Sequence, residues 1–328
     1  MDLSIIIVNW NSTELTQGCI ATIVSTARDL ECEIIVIDNA SQDDSCYRLR
    51  QIFPSVKLIC SDRNIGFARA NNMGAEHASG KKILFLNPDT LVLKGAIQRM
   101  VSRLDSAPDI GAVGCRLLNR DLSLQMSCVQ PFPTVSNQLL SIDWLKRRCP
   151  TLPLWGMRAL FSASPGDAEV EVVSGACLMV KRDIFEKVGR FSTEYFMYAE
   201  EMDLCRKIRH AGWKVCHVRD AQVVHFGGQS TKQKGDAFAD IVMHESVFKL
   251  LRKFRGNAYA QLYRAALLVS AVVRLIVLGP LLVIPVDRPC HDALHRAFRK
   301  WRNIAGWGIA LAWSPSFAED NPTTAVKS

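Results

Sequence analysis

No Cys-x-x-Cys pair occurs among the eleven cysteines of this 328-residue chain, and their number is odd. They are scattered singly, and Cys60, Cys177 and Cys216 sit inside apolar runs, where a free thiol behaves as a small hydrophobe. This predicts a reducing compartment, with neither a disulfide framework nor a zinc site. The N-terminus, "MDLSIIIVNW", lacks a basic n-region and a cleavage-site pattern, so no secretory signal is expected. No Gly-x-Gly-x-x-Gly follows the first apolar run. "VNWNSTEL" offers no phosphate cradle, which argues against a dinucleotide-dependent oxidoreductase. Acids are scarce from 249 to 302 while Lys and Arg are frequent ("FKLLRKFRGN", "DALHRAFRKWRN"), so the net charge of +8 is largely a C-terminal property. Such a bias points to a membrane face or a polyanionic partner. The charges are interleaved with long aliphatic runs rather than set on a compact reading module, so no nucleic acid is expected as a partner.

At 48% hydrophobic, the chain can build one large domain, or a catalytic domain with an appendage. Short apolar runs at 3–10, 32–38, 56–60, 82–87 and 111–115 read as strands, nearly continuous in Val, Ile and Leu. Such runs are expected where both faces of a sheet are covered. Helical stretches at 13–28, 42–52, 67–79 and 94–106 lie between them, and Ser41 with Asp44 three residues on resembles a capping box. This alternation predicts an open, mostly parallel, doubly wound α/β sheet. Residues 117–170 hold little regular pattern and read as loops that line or cover something. Strand and helix signals return in "EVVSGACLMVKRDIFEKVGRF", "YFMYAEEMDLCRKIRHAGWKV" and "AQVVHFGGQST".

In open α/β sheets, ligands bind beyond the carboxyl ends of the strands. Three of those ends are polar: "NWNS", "DNAS" and "NPDT". In "FLNPDT" the proline keeps Asn87 extended and leaves Asp89 just past the strand, beside a shared crevice. If 198–211 is helical, Glu201 shares a stripe with Leu204, Cys205 and Ile208, whereas Glu200 points with Asp203 and Lys207 to a more polar face. A carboxylate at the head of an apolar stripe is partly desolvated, which raises its pKa toward that of a useful base. His225 ends a strand, and Gly227 and Gly228 after it permit close backbone approach. Together, Asp89 and His225 form a candidate Mg²⁺ or Mn²⁺ site to which a diphosphate would add oxygens.

The stretch 263–286 is strongly apolar, but Arg264 and Arg274 interrupt it and Pro280 and Pro285 break it. About a dozen apolar residues follow Arg274, short of the ~20 that span a bilayer, so an interfacial or re-entrant segment is expected. Leu294, Phe298, Trp301 and Ile304/Ala305 then recur at helical spacing with Arg296, Arg299, Lys300 and Arg302 between them. That is the pattern of an interfacial amphipathic helix with tryptophan anchors.

The runs "SIIIVNWNS", "IIVIDNASQD", "NIGFARANNMGA", "FLNPDT", "VSGACLMVKRDIFEKVGRF", "FMYAEEMDLCRKIRHAGW" and "VVHFGGQS" together resemble a family-2 glycosyltransferase of the GT-A fold. The resemblance spans roughly residues 3–250 and is closest to the bacterial rhamnosyltransferase-like branch. It implies a single Rossmann-like, doubly wound mixed sheet over 1–250, with a nucleotide-binding half (1–116) and an acceptor and catalytic half (117–250). Residues 251–312 are expected as a basic, membrane-associating helical extension, and 313–328 as a disordered tail.

By the same resemblance, Asp38 contacts the nucleoside beside the strand end that carries Asn9 and Asn11. Asn64, Gly66 and Asn72 match the segment near ribose and phosphate, and Gly175 a loop beside the donor sugar. Asp89 matches the metal-binding acid of an Asp-x-Asp motif whose first acid is here Asn87, and His225 matches a histidine that completes the metal or pyrophosphate site. Glu201 falls where the family has its base, as Asp in a Glu-Asp pair; Glu200 is the other candidate. The implied reaction is inverting transfer of a sugar, rhamnose from dTDP-rhamnose by branch similarity, to a polyprenyl-diphosphate-linked glycan in cell-envelope polysaccharide assembly. The enzyme would work with Mg²⁺ or Mn²⁺, peripherally at the cytoplasmic face of the inner or plasma membrane. A catalytically inactive glycan- or nucleotide-sugar-binding relative is the alternative.

Overall fold

The computed structural model describes residues 1–141, 143–161, 166–227, 236–284 and 287–310. Gly228, Pro285 and the tail 313–328, named above, lie outside these. The chain forms two compact units, Met1–Ala260 and Gln261–Ser328.

The first unit is built on a nine-stranded sheet. Its opening half alternates β1 (Leu3–Asn9), α1 (Thr13–Thr26), β2 (Cys32–Asp38), α2 (Ser45–Ile52), β3 (Lys57–Cys60), α3 (Phe67–Glu76) and β4 (Lys82–Leu86). Every residue of β1 and β4 is buried, as continuous apolar runs require of strands covered on both faces. β1 pairs in parallel with β2 and β4, and β2 with β3, so Asn9 lies opposite Asp38 and the polar strand ends align on one edge.

After this the strand order departs from sequence order. β5 (Thr90–Val92), α4 (Ala96–Asp105), β6 (Ile110–Leu118), β7 (Val129–Gln130), α5 (Val135–Leu139), α6 (Asp143–Arg148), β8 (Ala168–Glu169), β9 (Val172–Val173) and β10 (Cys177–Lys181) follow. Then come α7 (Arg182–Lys187), α8 (Glu200–His210), β11 (Lys214–His225) and α9 (Asp236–Arg255). The sheet runs β3-β2-β1-β4-β10-β6-β11-β5, with β8 beside β11. β10 lies antiparallel between β4 and β6, and β5 and β8 are antiparallel to β11, which makes the sheet mixed. In α4 the buried Ile97, Met100 and Leu104 recur at helical spacing and turn one face onto the sheet. Phe85 of β4 packs on Phe185 and Phe191 at centroid distances of 5.1 and 4.7 Å, contacts of about 1 kcal/mol each beyond area burial, and so holds α7 to the sheet.

Two local expectations are corrected. Ser41 does not cap α2: its hydroxyl donates to Asp38 Oδ2, and Asp44 at the N-cap makes no side-chain cap bond. Ser41 stands too far ahead of the helix, which begins only at Ser45. Cys46 and Cys60, read as unpaired, are joined by a disulfide, because α2 returns along β3 and sets their Cα atoms 6.6 Å apart. Single scattered cysteines in sequence give no sign of such a meeting.

The second unit continues α10 (Asn257–Leu281) and holds α11 (Arg288–Ile309). α10 runs unbroken for 25 residues with Pro280 inside its last turn, and by length and composition alone it could cross a membrane. The expectation that arginines interrupt it is corrected, because both are covered by α11. Arg264 donates to the carbonyls of Trp307 and Gly308, and Arg274 lies 4.0 Å over the Trp301 ring. The apolar stripe of α11 is correspondingly turned inward, with Ile304, Ala305 and Trp307 buried. Outward apolar residues belong instead to α10 and the turn after it, among them Val269, Val273, Ile276 and Val283.

Candidate active site

One cavity of about 390 Å³ opens beyond the carboxyl edge of the sheet in the first unit. Eight of the residues singled out from sequence line it: Asn64, Gly66, Asn87, Asp89, Gly175, Glu200, Glu201 and His225. They come from five separate stretches of chain, and each is held there for a definable reason.

At the end of β4 the backbone N–H of Asn87 donates to the Ala176 carbonyl at 2.9 Å, just ahead of β10. Thr90 Oγ1 donates to the Asn87 carbonyl at 2.7 Å, and the Phe226 N–H to the Asp89 carbonyl at 2.9 Å. Thus the Pro88 turn is tied to both neighbouring strands. β5 then pairs antiparallel with the end of β11, Thr90 opposite His225. That three-residue strand brings Asp89 Oδ1 within 3.3 Å of His225 Nε2, with Asp89 nearly inaccessible to solvent. Nδ1 of His225 lies 2.8 Å from Gln125 Oε1, and Asn87 Nδ2 lies 3.5 Å from Nε2. Asn87 Oδ1 is buried with no hydrogen-bond partner.

The opposite wall is the start of α8. Tyr198 and Ala199 both adopt the left-handed region, at φ 69° and 66°, which costs a non-glycine residue about 1 kcal/mol or more. Their turn delivers Glu200 and Glu201 into the cavity as the first two helical residues. The loop is fixed to α3 by the Phe67 N–H, which donates to the Phe196 carbonyl at 3.0 Å. At Gly66 a Cβ would come within 2.8 Å of that same oxygen. At Gly175 a Cβ would lie 3.3 Å from Glu201 Cβ, so the bare backbone leaves Glu201 its space. Among the described residues, the nearest atom to a Cβ placed at Gly227 is Gln125 Nε2, at 3.6 Å.

Glu200 and Glu201 each carry a buried Oε2 without a hydrogen-bond partner. Burial pushes the Glu201 carboxyl up to about 7. Burial, with the charge of Glu201 beside it, raises Glu200 well above the ordinary carboxylate range. Burial and mutual repulsion therefore disfavour two charges on the pair, and Glu201 is the more readily ionised of the two. Leu204, Cys205 and Ile208 are fully buried on the same helix. The polar face expected for Glu200 and Asp203 is not solvated: both are buried, because α9 covers it. Asp203 is paired with Lys207 at 3.2 Å and with Lys253 of α9 at 2.7 Å, and it accepts from Ser192 and Tyr195.

Asn9, Asn11, Asp38 and Asn72 are not among the residues that line the cavity. Asp38 is buried and saturated: Oδ2 accepts from Asn9 Nδ2 and Ser41 Oγ, and Oδ1 from the Ser41 N–H. Asn9 Oδ1 accepts from Ser12 and Thr16. Asn11 Oδ1 accepts from the Gln42 N–H, and Asn72 clamps both backbone groups of Phe191. Asn39, not singled out in the sequence, lines the cavity in their place; it donates to Asn64 Oδ1 and accepts from the Ile65 N–H. Trp10 lines it too, and Ser127, Gln130 and Ser174 do so from the stretch around the poorly patterned region. The position of Asn39 and Trp10, next to polar strand ends, was the one signal available for them.

Among the described residues, no group of three or more His, Cys, Asp or Glu side chains could hold a metal ion. Asp89 and His225 nonetheless face each other, the side-chain Oδ1 of Asn87 has no hydrogen-bond partner, and no Lys or Arg is among the described residues that line the cavity. A divalent cation with outside oxygens fits this donor set.

The sequence profile of glycosyl transferase family 2 matches residues 4–189, more than half of the chain. The chain is 28% identical over 223 residues to N-acetylglucosaminyl-diphospho-decaprenol L-rhamnosyltransferase of Mycobacterium tuberculosis, covering 63% of this chain and 71% of that protein. It is 24% identical over 234 residues to dTDP-rhamnosyl transferase RfbF of Shigella flexneri, covering 70% and 71%. Among solved structures, the mannosyltransferase PcManGT from Pyrobaculum calidifontis, in complex with GDP-Man and Mn²⁺, superposes with a TM-score of 0.56 at 19% identity, covering 94% of this chain and 84% of that one. The shared architecture is that of the GT-A glycosyltransferases.

Proposed function

The chain belongs to glycosyl transferase family 2 and is of the rhamnosyltransferase type; on that footing we propose that it is an inverting enzyme that moves rhamnose from dTDP-rhamnose to a polyprenyl-diphosphate-linked glycan. The observation that carries this reading is that Glu200, Glu201, Asp89 and His225, far apart in sequence, line one cavity. The names of the two rhamnosyltransferase relatives support the donor and the acceptor class.

In this mechanism Glu201, the more readily ionised of the two acids, removes the proton from the acceptor hydroxyl. The hydroxyl oxygen attacks the anomeric carbon from the face opposite the diphosphate, which inverts the centre. Gly175 leaves the bare backbone beside Glu201 against which the donor sugar rests. Asn39 and Asn64, already bonded to each other, and Trp10 bound the nucleoside end. Asp38 acts there indirectly, by fixing the ends of β1 and β2. Asp89 and His225 would hold the divalent cation, Mg²⁺ or Mn²⁺. When bound, such a cation supplies the positive charge that a departing diphosphate needs and that no Lys or Arg among the described lining residues offers. Positioning of the two substrates provides much of the remaining acceleration.

The exposed apolar residues of α10 and the basic residues of α11 support docking of this unit on an anionic bilayer, at the cytoplasmic face. Co-sedimentation with anionic vesicles tests this. Val273→Asp with Ile276→Asp is expected to release the protein, and unchanged binding would shift the contact to α11.

The donor is tested by thermal shift against nucleotide sugars with and without Mg²⁺ or Mn²⁺, since a ligand of the native state raises its apparent stability. The expected result is the largest shift with dTDP-rhamnose plus metal. An equal or larger shift with UDP- or GDP-sugars overturns the donor assignment. Binding without transfer to any lipid-linked acceptor would mark the chain as a non-catalytic relative.

A further inference from the structure

We propose that Gln125 is a positioning residue that holds His225 as its Nδ1–H tautomer, through a hydrogen-bond relay that starts at Asp121, and so leaves the Nε2 lone pair facing Asp89 as a ligand atom. The inference rests on the divalent-cation reading above.

The direction of every bond in the relay follows from its first member. Asp121 is a carboxylate and can only accept, so the hydroxyl of Ser123, 2.6 Å from Oδ1, must donate to it. With its proton committed, Ser123 Oγ must accept from the Asn119 amide nitrogen, 2.9 Å away. The same nitrogen donates to the Leu124 carbonyl at 3.4 Å, which can only accept. That fixes which end of the Asn119 amide is oxygen. Asn119 Oδ1 then takes the Gln125 Nε2–H at 3.3 Å. Oε1 of Gln125 is therefore the atom 2.8 Å from His225 Nδ1, and Nδ1 must carry the proton.

At neutral charge this strips the proton from Nε2. What lies beyond Nε2 fits that assignment. Asn87 presents its amide nitrogen at 3.5 Å, a donor rather than an acceptor. Asp89 Oδ1 is 3.3 Å away, so two acceptor atoms face each other over the space a cation would fill. Backbone bonds hold the relay still: the Gln125 N–H donates to the Leu117 carbonyl and the Asn119 N–H to the Ser123 carbonyl. It thus hangs from the end of β6, beside β11, and ends on the histidine that closes β11. Partners that orient a ligating histidine in this way are worth about 10- to 100-fold in metal affinity.

The test uses the full chain with its histidines ¹⁵N-labelled. Long-range ¹⁵N–¹H spectra of metal-free protein report the tautomer of His225, and Mn²⁺ uptake in the presence of dTDP is followed by electron paramagnetic resonance. The expected result is Nδ1–H in the parent protein. Gln125→Leu should shift His225 toward Nε2–H and weaken Mn²⁺ binding about 10- to 100-fold. Gln125→Glu, which still accepts from Nδ1–H, should restore both. Thermal unfolding shows whether each variant folds; Asn119→Ala, which frees the Gln125 amide to turn over, serves if Gln125→Leu does not. An Nε2–H or doubly protonated ring in a parent protein that binds Mn²⁺ overturns the role of Gln125 alone, as does unaltered Mn²⁺ affinity in a folded Gln125→Leu. An Nδ1–H ring in a protein that takes up no Mn²⁺ overturns the cation reading, and the ligand role with it.

Discussion

The parallel half of the sheet and the α8 wall of the cavity treat their buried polar groups in opposite ways. At the ends of β1 and β2, Asp38 and Asn9 are buried and every polar atom of their side chains has a partner. At the α8 wall, buried Glu200 and half-buried Glu201 each leave one buried carboxylate oxygen without a partner, and across the cavity half-buried Asn87 does the same with Oδ1. A buried polar group without a partner costs about 1–3 kcal/mol, a cost that a bound substrate would relieve at these three cavity-lining side chains. Even within α8 the division holds, since Asp203, one turn from Glu200, is fully buried and bonded on all sides.

The largest effect that could break this division is at Glu201. Glu201→Gln is expected to lower kcat by about 10³- to 10⁴-fold with donor affinity unchanged, whereas Glu200→Gln, which replaces a carboxyl already neutral, should cost no more than about tenfold. Steady-state kinetics with parallel donor titrations decide; equal losses would make the two acids interchangeable. The base must be ionised to work, so activity should be half-maximal near pH 7, climb to its plateau above that and fall away below it. Glu200→Gln should keep this limb, and a limb near 4 would mean Glu201 is not the group observed.

Next in size is Asp203→Asn. Removing one charge from a buried network should lower unfolding free energy by about 3 kcal/mol, read by denaturant titration, with the affinity of the folded protein for donor unchanged. Asp89→Ala should weaken metal-dependent donor binding about 10- to 100-fold and leave metal-free stability close to that of the parent. Calorimetry with and without Mn²⁺ checks this. Smallest is Asp38→Asn, expected to cost about 2 kcal/mol of stability and to change donor affinity less than threefold. The reverse outcome, tenfold weaker binding at full stability, would place Asp38 on the nucleoside, as its position in the family motif implies.

Much of the fold was legible because its signals are local. Continuous Val-Ile-Leu runs mark β1, β2 and β4, and the spacing of Leu204, Cys205 and Ile208 marks the inward face of α8. The polar strand ends pointed to the right edge of the sheet. Several features left no local trace. β5 is three residues long, yet its pairing with β11 is what joins Asp89 to His225. Gln125 sits in a stretch with no periodicity, and its part is set by bonds to residues up to 100 positions away. In α11 the tryptophans read as membrane anchors, but they cover Arg264 and Arg274 of the preceding helix.

The sequence by itself determined the elements, the family and the set of acids and amides available for chemistry, since apolar period and motif order are properties of neighbouring residues. Only the tertiary structure decided which of those polar groups are saturated and which are left open. That division depends on what each atom meets across the fold, and chain position does not record it.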